Sequence, residues 1–334
     1  MKALREYHWE LTLCILIVAA VAWAASLSPF YLEPDQIAYS LQQSIAIVGL
    51  LAAGMMVIVI VGEIDISMPA VLAVCNILFA RFSEMGAPVG LALPVVLVVA
   101  TLAGAFNGLL IVSFGLPSLA VTLGTMGAYR ALALLLDGQE GYAGFNDSYV
   151  WLGSAAYFNS LLPLSLLLML VVFAAFAALM QRSVYGRRAY VVGSSAEAAR
   201  FSGIRVGAVK VAAFALGGFM AGIASLVYIG QYQSARADNA SDLLLLIVTA
   251  VVLGGIDIFG GRGRVVGVLL ALLLLGTLRN GMGLSNFPGP VQTLVIGLLL
   301  VGSVLISQSG QRLFAHRLSQ RRRAGATGGD ITGG

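Results

Sequence analysis

The chain has 334 residues, 59% of them hydrophobic and only 10% charged, and its mean hydropathy is +0.95. Soluble domains carry about 25% charged residues, so this composition excludes a soluble globule and indicates an integral membrane protein. The net charge of +4 does not indicate nucleic-acid binding, because the basic residues stand in loops and tails beside apolar blocks, where they set membrane orientation.

The first apolar block, 11–27, follows Lys2 and Arg5. It reads as an uncleaved first span, the other reading being a signal peptide cut near Ala22-Trp23-Ala24. Further blocks at 44–61, 68–82, 90–114, 116–136, 161–180, 211–229, 243–253, 265–278 and 291–307 bring the number to ten. A helix needs about 20 apolar residues to cross a bilayer. Blocks 243–253 and 265–278 fall short, so that pair is expected to be tilted, unwound or re-entrant. The fold class is thus an all-α integral membrane protein of about ten transmembrane helices with broken or re-entrant segments. Its membrane domain covers 1–307, and a basic, Gly-rich tail, 308–334, has the composition of a disordered segment.

With the N-terminus inside, 15 of the 19 lysines and arginines fall in cytoplasmic segments. Only Arg81, Arg236 and Arg279 lie outside, and Arg130 sits within a span, from where it is expected to snorkel outward. Both termini are therefore expected in the cytoplasm. The exterior is acidic by comparison: the loop 137–160 holds Asp137, Glu140 and Asp147 with no Lys or Arg, and Glu33, Asp35, Asp238 and Asp242 stand in other outer loops. This forms a rim suited to a soluble partner, unless it only records the depletion of positive charge in translocated loops. Cys14 and Cys75 lie far apart in apolar blocks, and His8 and His316 are near the ends. Neither a disulfide framework nor a histidine metal site follows.

Gly62-Glu63-Ile64-Asp65-Ile66-Ser67 recurs in part as Gly254-Gly255-Ile256-Asp257-Ile258, 192 residues later. Each copy follows an apolar block, which suggests two related halves. The proline segments at 116–118 and 287–289 keep neither the same spacing nor the same side, so duplication does not follow from sequence. The first copy should break a helix: Gly62 loosens it, Asp65 or Ser67 caps the next, and Pro69 suits its first turn. Broken helices at membrane depth line cavities; the other reading is a tight turn at the membrane surface. Gly104/Gly108 and Gly218/Gly222 are small-x-x-x-small pairs that let helices approach closely. A path for a neutral polyhydroxylated solute needs uncharged hydrogen-bonding groups. Gln43, Asn76, Asn107, Thr122, Thr125 and Thr249, with Asp65 and Ser67, are the candidates, although each alone also suits an interhelical hydrogen bond.

The run from Gly260 to Gly267 does not keep nucleotide-binding spacing, and no Walker lysine motif occurs. If ATP drives this protein, another chain binds it. No nucleophile stands with a His, Lys or second Asp inside the spans, which disfavours a membrane-embedded lipid or glycan enzyme.

The loop 181–210 is the longest strongly polar segment between apolar blocks. Within it, Ser194-Ser195-Ala196-Glu197 has the form of a capping box, and Gly203 stands where a helix-ending residue with positive φ would stand. The intervening helix is far below the ~12–15 residues an isolated helix needs in water. Ala198 and Phe201 give it one small apolar face, with Arg200 turned elsewhere. Such a helix must dock on something. It reads as a coupling helix seated in a partner's groove, with Arg187, Arg188 and Arg200 flanking the contact; an ordinary surface helix is the alternative.

These residues resemble a known family, the permease subunits of ribose/xylose/arabinose/galactose-type ABC importers. Gly62–Ser67 is similar to its G-G-I-D-L-S turn, and residues 116–125, LPSLAVTLGT, to its P-S/F-I-x-T-L-G-T segment. YGRRAYVVG at 185–193 with EAARFSGI at 197–204 resembles its coupling loop, and VLGG at 252–255 with GGRG at 260–263 its V-L-G-G…G-G-x-G element. The resemblance covers nearly the whole chain in the expected order. It implies a bacterial inner-membrane complex of two permease subunits, identical or related, with a cytoplasmic ATP-binding subunit that carries ATP and Mg. It further implies an extracytoplasmic sugar-binding protein, and no cofactor on this chain. Glu63 replaces the family's second glycine, and Asp257-Ile258 departs from the usual small or polar residues. Both point away from ribose itself toward the rhamnose-like or autoinducer-2-like branches. The alternative is an ATPase-independent secondary transporter or exporter, for which an intramembrane carboxylate pair is wanted and none is evident.

Overall fold

The computed structural model describes residues 8–27, 29–137, 141–154, 156–157 and 162–305. Lys2, Arg5, Glu140, His316 and the tail 308–334 lie outside them. Every one of the ten apolar blocks holds a helix: α1 (His8–Leu27), α2 (Pro34–Ile60), α3 (Met68–Glu84), α4 (Val89–Phe114), α5 (Ser118–Asp137), α7 (Leu164–Arg182), α10 (Val206–Tyr232), α11 (Leu243–Leu253), α12 (Val265–Leu284) and α13 (Gly289–Leu305). Seven of these are long and apolar enough to cross a membrane. The chain is thus an all-α, multi-pass membrane protein.

The block at 265–278 is not short. Its helix continues to Leu284 and reaches 20 residues, because Arg279 and Asn280 interrupt hydropathy without interrupting the helix. Arg279 lies 3.9 Å from Asp242, at the other end of the α11 connection. The block at 243–253 does remain an 11-residue helix.

The α2 span is 89% buried whereas the α1 and α5 spans are 17% buried, so α2 is an axis around which the others gather. The most extensive packing joins α4 to α10. A Cβ on Gly104 would stand 2.2 Å from the Phe214 carbonyl oxygen, and one on Gly218 2.1 Å from that of Ala100. The two small-residue pairs therefore form a single antiparallel crossing with backbone against backbone.

The repeat extends beyond the I-D-I motif. Helix α2 ends in a Schellman turn, with Gly62 at φ +82° and the Glu63 N–H on Ile58 O; α11 ends the same way, with Gly255 at φ +83° and the Ile256 N–H on Val251 O. Asp65 Oδ1 then accepts the Ser67 N–H and Asp257 Oδ1 the Phe259 N–H, the same Asx turn twice. Helices α3 and α12 close alike. Gly86 (φ +70°) and Asn286 (φ +55°) are left-handed, Ala87 and Phe287 donate back to Phe82 and Met282, and Pro88 and Pro288 begin the next helix. The counterpart of Pro288 is thus Pro88, not Pro117. The sequence hid this because 61–67 separates α2 from α3 whereas the longer 254–264 separates α11 from α12.

The stretch 137–160 is not a plain outer loop. It contains a two-residue strand β1 (Tyr142–Ala143) and a helix α6 (Asp147–Ser154). Two further short strands, β2 (Ala156–Tyr157) and β3 (Leu162–Pro163), pair with each other, and β1 pairs antiparallel with β4 (Ser234–Ala235) beyond α10. Tyr149 of α6 is fully buried and donates to Ala87 O at 2.8 Å. Gly153 meets the Gly230 backbone, where a Cβ would stand 2.6 Å from the Gly230 Cα.

Candidate coupling site and polar path

The basic segment forms two helices rather than one. Helix α8 (Val184–Ser194) is capped by Ser183, whose hydroxyl accepts from the Gly186 N–H at 3.0 Å. Its buried stripe is Gly186, Ala189 and Val192, a spacing legible in the sequence but masked there by charge. Helix α9 (Ala196–Phe201) follows. Its cap is Ser195, which accepts from the Ala198 N–H at 3.2 Å, and not Ser194. Ser194 closes α8 instead and donates to Tyr190 O at 2.8 Å. The capping-box reading therefore fails by one residue: with Ser195 as cap, the third helical position is Ala198, and Glu197 has no reciprocal role.

The C-terminal end of α9 matches the sequence expectation. Gly203 has φ +77°, Gly203 N–H donates to Arg200 O and Ile204 N–H to Ala199 O, a complete Schellman motif. The inward residue of α9 is Ala199, while Ala198 points out and Phe201 is 86% exposed. Arg187, Arg188, Glu197 and Arg200 are exposed as well. A phenyl ring left exposed at the end of a doubly capped helix is unfavourable, since a buried Phe gains about 2 kcal/mol over an exposed one.

The inner side of α8 touches both turns of the repeat. At the first turn, a Cβ on Gly193 would stand 1.9 Å from Ile60 O and 2.4 Å from Gly261 N, so no side chain fits. At the second, Tyr190 donates to Gly263 O at 3.0 Å, and burial pushes its phenol above the usual range. The turns also meet directly, the Gly261 N–H donating to Ile60 O at 2.8 Å. Lys210, one turn into α10, pairs with Glu63 of the first turn.

Behind the first turn lies a buried polar cluster. Asp65 is 1% exposed, and its Oδ1 accepts from both the N–H and the hydroxyl of Ser67, at 2.8 and 2.6 Å. Asn107 Nδ2 donates to Ser67 Oγ at 2.8 Å, and Asn107 Oδ1 accepts from the Tyr129 hydroxyl at 3.2 Å. The Ile64 N–H donates to Ser118 Oγ at 3.2 Å, and Thr122 donates to Ser118 O at 2.9 Å. The fold thus brings together Asp65, Ser67, Asn107 and Thr122 of the sequence candidates. It adds Ser118 and Tyr129, which sequence reasoning missed because a hydroxyl on an apolar helix carries no period of its own. Thr125 lies on the rim of this group, 3.4 Å from Thr122 O.

The other candidates stand apart. Thr249 bonds within its own helix to Leu245 O. Gln43 is half-buried, while the neighbouring Gln42 is the buried amide and donates to Gly153 O. Asn76 is fully buried, and neither end of its amide has a hydrogen-bond partner among the described residues. Arg130 bonds to Ala237 O and, at 2.9 Å, to Asn239 O, holding the connection after α10. The outer acidic rim is partly neutralised, since Asp238 pairs with Arg236 at 2.9 Å. That hydrogen bond holds the Asp238 carboxyl below the usual carboxylate range.

A helical membrane body, two broken-helix turns side by side and a compact inner helix pair laid across them together define a polytopic permease. Residues 37–304 match the family described as branched-chain amino acid transport system, permease component, and the chain belongs to it. It is similar to the Autoinducer 2 import system permease protein LsrD of Enterobacter sp. strain 638, at 35% identity over 93% of this chain and 95% of that one. The proteins of the same name from Klebsiella pneumoniae subsp. pneumoniae and Yersinia enterocolitica are each 32% identical, over 93% and 97% of this chain and 98% and 99% of theirs. No solved structure matches it significantly. The resemblance read from the motifs holds: this is a permease subunit of the sugar-type ABC importers, a transport component.

Proposed function

We propose that the chain is the membrane-spanning half of an ATP-driven importer in the bacterial inner membrane, with both termini cytoplasmic. Its solute is a small polyhydroxylated molecule of the autoinducer-2 kind, delivered by an extracytoplasmic binding protein. The membrane domain covers 1–307, the coupling loop is 181–210, and a second permease subunit completes the path. ATP and Mg belong to a cytoplasmic ATP-binding subunit, which receives α9 in a groove, with Phe201 and Ala198 as the apolar contact. Arg187, Arg188 and Arg200 flank that contact. The observation that carries this reading is Phe201, 86% exposed on a six-residue helix fixed at both ends and following directly on α8, which rests on both turns of the repeat. Reorientation of the turns then opens the cluster around Asp65 alternately to each side.

The experiment is co-purification with the ATP-binding subunit followed by uptake in vesicles. Phe201→Ala should leave thermal unfolding unchanged and lower ATPase retention by about tenfold, the equivalent of ~1.4 kcal/mol at the contact. Full retention with normal uptake removes the coupling role. Uptake of autoinducer-2 should require internal ATP, and uptake without it would favour the secondary-transporter reading.

A further inference from the structure

We infer that Glu63 and Lys210 form the positioning element that carries movement of α8 and α9 to the buried Asp65–Ser67–Asn107 cluster. The inference deepens the coupling role proposed above and rests on it. Glu63 immediately follows the left-handed Gly62 and stands two residues before Asp65. Its own N–H is held by Ile58 O, and the next residue, Ile64, donates to Ser118. With both neighbours fixed, displacement of Glu63 displaces Asp65 and Ser67.

On the other side, Lys210 lies in the first turns of α10. Only residues 202–205 separate α10 from α9, and Gly203 and Ile204 of these are locked in the Schellman turn. Movement of α9 therefore carries the start of α10 with it. The Glu63 and Lys210 side chains are only 12% and 21% exposed. A largely desolvated charge left without its partner is strongly unfavourable, so the pair travels together rather than separating. Arg200 of α9 lines the same cavity, about 370 Å³, together with Glu63, Lys210, Val112, Pro117 and Gly207. The cation on the coupling helix thus faces the same space as this carboxylate. At the second turn Ile256 occupies the position that Glu63 occupies in the first, and the ion pair there joins Arg264 to Glu10 of α1 instead.

The test uses the complete complex reconstituted in liposomes with its ATP-binding subunit and binding protein, and reads autoinducer-2 uptake per ATP hydrolysed. Glu63→Gln and Lys210→Gln should each lower that ratio roughly tenfold while basal hydrolysis stays within about twofold, a loss in the range of site-to-site coupling energies. The exchange Glu63→Lys with Lys210→Glu should restore most of it, and Lys210→Arg should behave as the unmodified chain. Single variants that assemble and keep the unmodified ratio overturn the inference. If the single variants do not assemble, the exchange and Lys210→Arg decide: coupled transport in both supports it, and an assembled but uncoupled protein in either overturns it. Failure of the unmodified complex to take up solute with ATP overturns the coupling role itself, and the inference falls with it.

Discussion

The two broken-helix turns share two backbone devices and have opposite surroundings. Both leave a helix by a Schellman turn and close on an aspartate that accepts the N–H two residues on. Around the first, α4 and α5 supply Asn107, Ser118 and Thr122, so Asp65 is sealed inside a hydrogen-bonded cluster. Around the second, α1 supplies Trp9, whose indole donates to Leu253 O at 2.8 Å over Gly255, and Glu10 lies 3.5 Å from Arg264. Asp257 stays half-exposed. One copy of a duplicated turn has become a polar centre and the other an anchor, and the difference comes from the helices laid against them rather than from the turns.

Breaking the contact between the turns and the inner helices should have the largest effect. Gly193→Ala forces a Cβ against Ile60 O and Gly261 N and should cost about 3 kcal/mol or more, seen as loss of monodisperse protein or a steep fall in Tm. The control is Gly203→Ala, where nothing lies within 4 Å and only the left-handed φ opposes the methyl, for about 1 kcal/mol. The inequality of the two aspartates comes next. Asp65→Ala orphans Ser67 and weakens the hold on Asn107, for about 3 kcal/mol, whereas Asp257→Ala acts at a half-exposed turn and should cost less, about 1 kcal/mol. Equal Tm shifts for the pair would contradict the contrast drawn here. Trp9→Phe keeps the ring over Gly255 but deletes the indole donor, and should lower stability by about 1 kcal/mol. The smallest comparison checks the helix cap. Ser195→Ala should cost about 1 kcal/mol and Ser194→Ala only a few tenths, and the reverse order would restore the capping box at Ser194.

Much of the inner site is legible in the sequence. The positive-φ glycine at 203 and the broken helix after Gly62 each depend on residues within a few positions of one another, whereas neither Asp65 nor Ser67 caps α3 as expected: Asp65 forms an Asx turn onto the Ser67 N–H and Ser67 makes no cap bond. The errors were of register and partner. Ser194 and Ser195 are chemically equivalent caps, and which one serves depends on where α8 stops, which is fixed by Gly193 pressing on Ile60. The proline segments at 116–118 and 287–289 do not correspond; the counterpart of Pro288 is Pro88, displaced in sequence because the second turn is longer than the first.

What the sequence determined on its own was where the ten apolar helices lie and that the chain belongs in a membrane, since the transfer free energy of an apolar stretch is a property of that stretch alone. Tertiary structure decided which polar groups meet. Lys210 and Glu63 are 147 residues apart, Asn107 and Ser67 are 40 apart, and the glycine pairs of α4 and α10 meet only because the helices run antiparallel. In an apolar interior most buried donors find a partner, but only the packing of whole helices determines which one it is.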